Sequence, residues 1–146
     1  MKSDPGTYAL ILRSSLSAEI QIGRWGCLHV KPGYYAYVGS AFGPGGVQAR
    51  VARHFRKGKR RHWHIDYLSE AIDPVRAWYS YAPFRLEHDW ARAFDQMADT
   101  SCVKGFGCSD CSCNGHLFAM STNPDCAKIF RAIGRAVESW PHRTAN

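Results

Sequence analysis

The sequence has no apolar segment approaching the roughly 20 residues that are needed to cross a bilayer. Its first apolar run, Ala9 to Leu12, is also too short for the core of a secretory signal peptide. We therefore expect a cytoplasmic protein without a membrane partner. Of its 146 residues, 45% are hydrophobic and 13% are aromatic, which predicts a single domain over residues 1–146 with its own core.

Acidic residues are missing where the basic residues are most concentrated. None occurs between Arg50 and His62, a stretch that holds seven of the 19 lysines and arginines. Those seven account for the net charge of +7, because the other 12 basic residues match the 12 acidic ones. One basic patch on a neutral body is typical of a protein that binds a polyanion. A solvated basic surface is the alternative, but the arginine content and the neighbouring glycine loop favour nucleic acid.

The glycine loop itself lacks the Gly-Lys-Ser/Thr ending of a nucleotide-binding P-loop. Gly43-Pro44-Gly45-Gly46 precedes a predicted helix, so backbone N–H groups at the helix start are expected to be available to a phosphate. Arg50 and His54 lie one turn apart on that helix and are predicted to face the sheet, whereas Arg53 and Arg56 are predicted to point outward. An arginine held against a sheet indicates a phosphate ligand, and a structural ion pair is the alternative.

Hydrophobic periodicity predicts an α+β fold, a small and mostly antiparallel sheet flanked by helices. A strongly β-prone run predicts a strand over 7–13, and alternating patterns predict strands over 18–23, 34–39 and 75–81. Residues 26–30 are predicted to pair with 18–23, and residues 116–120 are predicted to form a short closing strand. Four-residue spacings predict helices over 46–57, from about His64, over 86–97 and over 123–139. Residues 18–31 are interpreted as an inserted hairpin.

The six cysteines are not expected to form a disulfide framework, because no secretory signal accompanies them. Cys108, Cys111, Cys113 and His116 have the ligand types of a structural zinc site. The single residue between Cys111 and Cys113 strains a tetrahedral arrangement, so a tight polar loop beside the active face is the alternative. A second possible metal group, His62, His64 and Asp66, requires a strand, whereas the start of a helix would separate these side chains.

Several short motifs together resemble the GIY-YIG nuclease superfamily. They are Gly6-Thr7-Tyr8 and Tyr37-Val38-Gly39 on two predicted strands, Arg50 and His54 on the next helix, and Phe84 to Trp90 around Glu87. Tyr8 and Tyr37 lie 29 positions apart, which the inserted hairpin explains. The longer runs Tyr-Val-Gly-Ser-Ala-Phe-Gly-Pro-Gly-Gly, His-Trp-His-Ile-Asp-Tyr-Leu and Cys-Ser-Asp-Cys-x-Cys-x-x-His resemble a little-characterised branch, some of whose members are appended to a DNA-repair glycosylase.

This resemblance implies a metal-dependent endonuclease that hydrolyses DNA phosphodiester bonds, in repair or processing. Tyr8 would act as the general base on water, and Glu87 would hold Mg²⁺ or Mn²⁺. Arg50 would stabilise the phosphate in the transition state, with Tyr37 and His54 positioning it or relaying protons.

The basic run would then hold the flanking DNA backbone without reading its sequence. The expected nucleic-acid contacts are Ser40, Arg53, Arg56, Lys57, Lys59, Arg60, Arg61, His62 and His64. Branched, nicked or damaged DNA would be the substrate, and a DNA-repair protein is a possible partner. Two other functions remain open: a non-catalytic nucleic-acid-binding module of the same fold, and a small zinc-stabilised protein that binds another polyanion.

Overall fold

The fold is α+β and is built around a six-stranded antiparallel sheet. The computed structural model describes residues 1–108, 113–125, 127–128 and 137–141. In these residues the strands are β1 (Gly6–Ser14), β2 (Ala18–Ile22), β3 (Gly26–Val30), β4 (Gly33–Ala41), β5 (Asp73–Ser80), β6 (Thr100–Val103), β7 (Leu117–Met120) and β8 (Glu138–Trp140). The helices are α1 (Gly46–Phe55), α2 (His64–Ala71) and α3 (Glu87–Asp95). The main sheet has the order β6-β7-β4-β1-β5-β8, and β2 and β3 pair separately.

β1 is buried on both faces, which explains its nearly continuous apolar sequence. Tyr8, Leu10 and Leu12 face one hydrophobic cluster, and Ala9 and Ile11 face the other. The strand pairs with β4 on one side and β5 on the other, so it has no edge exposed to solvent.

Helices cover the two faces of the sheet. Val47 and Val51 of α1, together with Ile65 and Leu68 of α2, pack in the cluster of Tyr8, and the β2–β3 hairpin joins them there. α3 packs on the opposite face through residues such as Trp90 and Phe94. Helices are needed on both faces of the sheet because β1 and β4 place apolar side chains on both of them.

Most predicted elements are present, with boundaries that differ by a few residues. The hairpin predicted at 18–31 forms the separate β2–β3 sheet, so β1 and β4 pair directly despite the insertion. The strand β6 was not predicted, because its sequence Thr-Ser-Cys-Val is short and is followed by a glycine-rich loop. It forms at the sheet edge through pairing with β7.

The helix predicted over 123–139 is wrong at its C-terminal end. Glu138 and Ser139 belong to β8, which pairs with β5 at the opposite edge of the sheet. Residues 126 and 129–136 of that predicted helix lie outside the described residues. Within the described part of the chain, no helix is long and apolar enough to cross a membrane.

Candidate active site

An open cleft of about 310 Å³ lies where β1, β4, α1 and α3 approach one another. Its lining combines phenols, a guanidinium, a carboxylate, imidazoles and an indole. The lining residues are Tyr8, Tyr37, Val38, Gly39, Ser40, Arg50, Trp63, Glu87, His88, Gly107 and His116. Four of the five predicted catalytic residues, Tyr8, Tyr37, Arg50 and Glu87, therefore share one cleft.

Strand pairing brings the two motif tyrosines together. Tyr8 is opposite Gly39 in the antiparallel register of β1 and β4, and the ring centroids of Tyr8 and Tyr37 are 6.5 Å apart. A Cβ atom at Gly39 would lie 2.5 Å from the Tyr8 hydroxyl oxygen, so a larger residue would displace the phenol. The glycine of Tyr37-Val38-Gly39 thus makes room for the reactive end of Tyr8.

His54, the fifth predicted residue, lies behind the cleft. It is 1% exposed, and its Nε2 atom is 2.6 Å from the Tyr8 hydroxyl. Its Nδ1 atom has no hydrogen-bond partner among the described residues. Such a buried polar atom costs about 1–3 kcal/mol of stability. The Tyr8–His54 pair links the cleft to a buried imidazole, which is the geometry of a proton relay.

Burial sets the protonation states of this pair. It raises the pKa of Tyr8 well above its usual value, with a further rise from Tyr37 and an opposing effect of Arg50. Burial also raises the pKa of Tyr37, and the charge of Glu87 adds to that rise. Burial lowers the pKa of His54 to about 3, opposed by Asp66 and assisted by Arg50 and Arg53. At neutral pH both phenols and the imidazole are therefore uncharged.

Glu87 reaches the cleft because the first turn of α3 is anchored to the start of β1. The backbone N–H of Leu86 donates a hydrogen bond to the Thr7 hydroxyl at 3.2 Å. Thr7 directly precedes Tyr8, and successive side chains of a strand point to opposite faces. α3 is thus held at the end of β1 where Tyr8 lies, with Glu87 as its first residue.

Arg50 is held over an aromatic ring. Its guanidinium carbon lies 4.3 Å from the ring centroid of Trp63, and Arg53 lies on the same ring at 4.4 Å. Among the described residues, no carboxylate lies within 4 Å of the Arg50 guanidinium. The alternative role considered for Arg50 was a structural ion pair. In the structure Arg53, not Arg50, makes such a pair, with Asp66.

Arg53 does not point outward as predicted. Both of its terminal nitrogens donate to the carboxylate of Asp66, at 2.7 and 2.9 Å. The same carboxylate accepts backbone N–H groups of His62 and Trp63 at the start of α2. Burial alone would raise the pKa of Asp66, but these hydrogen bonds outweigh it and hold the pKa below its usual value. The pair locks α1 to α2.

The glycine loop does not present free N–H groups at the start of α1, contrary to the expectation of a phosphate cradle. The N–H groups of Gly46, Val47 and Gln48 donate to the carbonyls of Gly43, Asp4 and Lys2. A Cβ atom at Gly46 would lie 2.1 Å from the Ser3 carbonyl oxygen, and the φ angle there is 59°. The glycines therefore seat the N-terminal segment on the helix, and these three N–H groups are already bonded within the protein.

The predicted nucleic-acid contacts divide into exposed and internally bonded residues. Arg56, Arg60, Arg61 and His62 are exposed. Lys57 is also exposed, although its amino group donates to the Ser69 carbonyl at 2.5 Å. The Lys59 side chain is 3% exposed and donates to the Arg56 carbonyl at 2.7 Å.

Two further members of that predicted set lie close to the cleft. Ser40 lines it, and its hydroxyl accepts a hydrogen bond from Arg85 at 3.2 Å. The Nδ1 atom of His64 accepts the backbone N–H of Gly107 at 3.0 Å. His62, His64 and Asp66 therefore do not form a metal group, because Asp66 is occupied by Arg53 at the start of α2.

A family model described as a domain of unknown function, DUF123, matches residues 7–139. The chain belongs to the DUF123 family. The curated proteins and the solved structures gave no match. In this DUF123 protein the matched segment contains every residue that lines the cleft.

His88 was not among the predicted site residues. It lines the cleft beside Glu87, and its Nδ1 atom is 2.9 Å from the Sγ atom of Cys113. Cys113 is 25 positions away in the sequence, so no local spacing indicates their proximity. Of the predicted zinc ligands, Cys113 and His116 lie together with His88, whereas the Sγ atom of Cys108 donates to the Cys113 carbonyl at 3.4 Å. Cys111 lies outside the described residues.

Buried His54 predicts an acid-sensitive fold. The pKa of His54 is about 3 in the folded protein and 6.5 in a free side chain, so between these pH values only the unfolded chain binds the proton. The free energy of unfolding is therefore expected to fall as the pH is lowered through this window. The contribution at pH 4.5 is roughly 2–3 kcal/mol relative to pH 7.

Urea unfolding at pH 7 and at pH 4.5 measures this effect. His54→Gln should remove the loss of stability that His54 causes and leave the pH dependence that comes from the other groups. The control is His29→Gln, which replaces an exposed histidine on β3 and should behave as wild type. An identical loss of stability in wild type and His54→Gln would show that His54 is not the titrating group.

Proposed function

We propose that this protein is a GIY-YIG-type, metal-dependent nuclease that hydrolyses DNA phosphodiester bonds. The observation that carries the proposal is the convergence of Tyr8, Tyr37, Arg50 and Glu87 on one cleft, with His54 bonded to Tyr8 behind it. These residues come from four elements that are separated in the sequence, β1, β4, α1 and α3. Phenols, a guanidinium and a carboxylate around an open cleft suit an anionic phosphodiester.

The donor set fits a hard divalent cation such as Mg²⁺ or Mn²⁺. Glu87 is a partly exposed carboxylate in an open cleft. Mg²⁺ is usually held by one or two carboxylates and keeps several waters, which an open cleft permits. When bound at Glu87, the cation would supply electrostatic stabilisation of the charge that develops on the phosphate and the leaving oxygen.

Tyr8 and His54 would accept and transfer the proton of the attacking water. As the water oxygen bonds to phosphorus and the bond to the leaving oxygen breaks, the Tyr8 hydroxyl oxygen would accept the water proton. The proton of Tyr8 would pass to Nε2 of His54, 2.6 Å away. Neutral His54, with its own proton on Nδ1, is able to accept it, whereas a protonated imidazole is not. The leaving oxygen would take its proton from solvent.

Arg50 would bind the non-bridging phosphate oxygens. Its position over Trp63 fixes the plane of the guanidinium while its N–H groups remain available to the cleft. Tyr37 would add a hydroxyl donor on the adjacent wall. Such preformed donors stabilise the transition state because they need no reorganisation during the reaction.

The exposed part of the basic run would hold the DNA backbone outside the cleft. Arg56, Arg60 and Arg61 are exposed on the stretch that leads to Trp63, and Trp63 lines the cleft in contact with Arg50. Arg53 and Lys59 are occupied within the protein and support this surface rather than binding DNA themselves. Contacts of this kind provide affinity that falls with salt and carry no sequence preference.

Cleavage of DNA by the purified protein with Mg²⁺ tests the proposal. Plain, nicked and branched duplexes are incubated with wild type and with Tyr8→Phe, which removes only the hydroxyl. Tyr8→Phe is expected to reduce kcat about 10²–10⁴-fold, the usual range for a lost general base. The matched control is Tyr35→Phe, a buried tyrosine on β4 whose hydroxyl accepts the Lys31 N–H at 3.1 Å, away from the cleft.

Two results would contradict the proposed nuclease activity. If wild type cuts none of these substrates with Mg²⁺ or Mn²⁺ and still binds them, the protein is a non-catalytic nucleic-acid-binding module. If Tyr8→Phe cuts as fast as Tyr35→Phe, any nuclease activity present does not use this cleft.

A further inference from the structure

Three metal-binding side chains from two separate parts of the chain converge beside the cleft. His88 is in the first turn of α3, and Cys113 and His116 lie just before β7. One ligand atom from each residue lies within 4.8 Å of the other two. His88 is exposed and Cys113 is partly exposed, while His116 is 4% exposed.

The spacing of these atoms suits a zinc ion. With Zn–S near 2.3 Å and Zn–N near 2.0–2.1 Å, ligand atoms at tetrahedral angles lie roughly 3.3–3.6 Å apart. The three ligand atoms lie close to this range of separations, since the His88 Nδ1 to Cys113 Sγ distance is 2.9 Å and no distance in the group exceeds 4.8 Å. Imidazole and thiolate together favour zinc over Mg²⁺, which prefers oxygen ligands.

We propose that His88, Cys113 and His116 bind one zinc ion that ties the segment before β7 to the first turn of α3. Solvent reaches the site on the His88 side, because His88 lines both the cleft and an adjoining cavity of about 190 Å³. This ligand set differs from the four-residue set expected from the cysteine spacing, since His88 is a member and Cys108 is not.

The zinc ion would fix the position of His88, the residue next to Glu87. His88 follows Glu87 directly on α3, so a metal bound by His88 and by the segment before β7 fixes the end of α3 that enters the cleft. The site does not depend on the proposed nuclease activity, and metal content is measured without DNA. A protein without nuclease activity that binds zinc would therefore leave this inference intact.

Metal analysis of the purified, dialysed full-length protein provides the first test. Wild type is expected to contain about one zinc per chain. His88→Gln is the decisive variant because His88 is exposed and its replacement leaves the core unchanged. It should lose most of the zinc, as should Cys113→Ser. The matched controls His29→Gln and Cys27→Ser alter an exposed histidine and an exposed cysteine on β3 and should retain it.

Spectroscopy and stability identify the ligands. Cobalt substituted for zinc should show a thiolate charge-transfer band in wild type that is absent in Cys113→Ser. A zinc chelator should lower the unfolding midpoint of wild type by about 5–10 °C and leave that of His88→Gln unchanged. Wild type without stoichiometric zinc, or His88→Gln with the full zinc content, would overturn the proposal.

Discussion

Replacing Glu87 with glutamine is expected to lower kcat for Mg²⁺-supported DNA cleavage by roughly 10³-fold. A bound divalent cation contributes several kcal/mol of transition-state stabilisation, and each 1.36 kcal/mol is about tenfold in rate. Among the described residues that line the cleft, Glu87 is the carboxylate. Glutamine keeps the shape of the side chain but removes the charge that holds the cation. Single-turnover cleavage over a range of Mg²⁺ concentrations measures both the rate and the apparent metal affinity.

Asp89→Asn is the matched control for Glu87→Gln. Both acids lie in the first turn of α3, so each substitution removes the same favourable interaction with the helix dipole. Asp89 is exposed and does not line the cleft, and its variant should cut as wild type does. Equal rates for Glu87→Gln and wild type at limiting Mg²⁺ would refute the assignment of the metal to Glu87.

Asp66→Ala is expected to lower the free energy of unfolding by about 3–5 kcal/mol, the usual cost of breaking a buried ion pair. Asp66 is fully buried and accepts two hydrogen bonds from Arg53 and two from backbone N–H groups. The substitution removes the acceptor of all four hydrogen bonds, and of these donors Nη2 of Arg53 also donates to the Arg60 carbonyl. Urea unfolding at pH 7 measures the loss. The consequence reaches the cleft, because Arg53 and Arg50 lie on the same ring of Trp63.

Asp73→Ala provides the comparison for Asp66→Ala. Asp73 also pairs with a basic residue, Lys57 at 3.1 Å, but its side chain is 79% exposed. Exposed ion pairs contribute at most about 1 kcal/mol, so this variant should be close to wild type in stability. If both variants lost the same small amount, the Arg53–Asp66 pair would not hold α1 against α2.

The local sequence predicts those parts of the site that depend on which face of a strand or helix is buried. A β-prone run placed Tyr8 on β1, alternation placed Tyr37 on β4, and four-residue spacing placed Arg50 and His54 on one side of α1. Burial of Val47 and Val51 fixes that side, since the apolar face of a helix must cover the sheet. These predictions needed no knowledge of which strands are neighbours.

Predictions about partners from elsewhere in the chain were less successful. The local pattern places Arg53 on the solvent-facing side of α1, yet its guanidinium donates a hydrogen bond to Asp66 of α2. The N–H groups at the start of α1 were expected to be free, but carbonyls of residues 2–4 occupy two of them. In both cases the decisive group belongs to a segment whose position depends on how the chain packs.

Composition and periodicity thus account for the α+β architecture, the basic surface and the elements that carry the motif tyrosines. Composition and periodicity do not place Glu87 in the cleft of Tyr8, where the Leu86–Thr7 hydrogen bond anchors α3, nor His88 beside Cys113 and His116; those contacts are set by the tertiary structure. The physical reason is that periodicity records which face of an element is buried, because burial acts on every residue of that face. A contact between two polar side chains depends on strand register and helix placement, which follow from packing over the whole core.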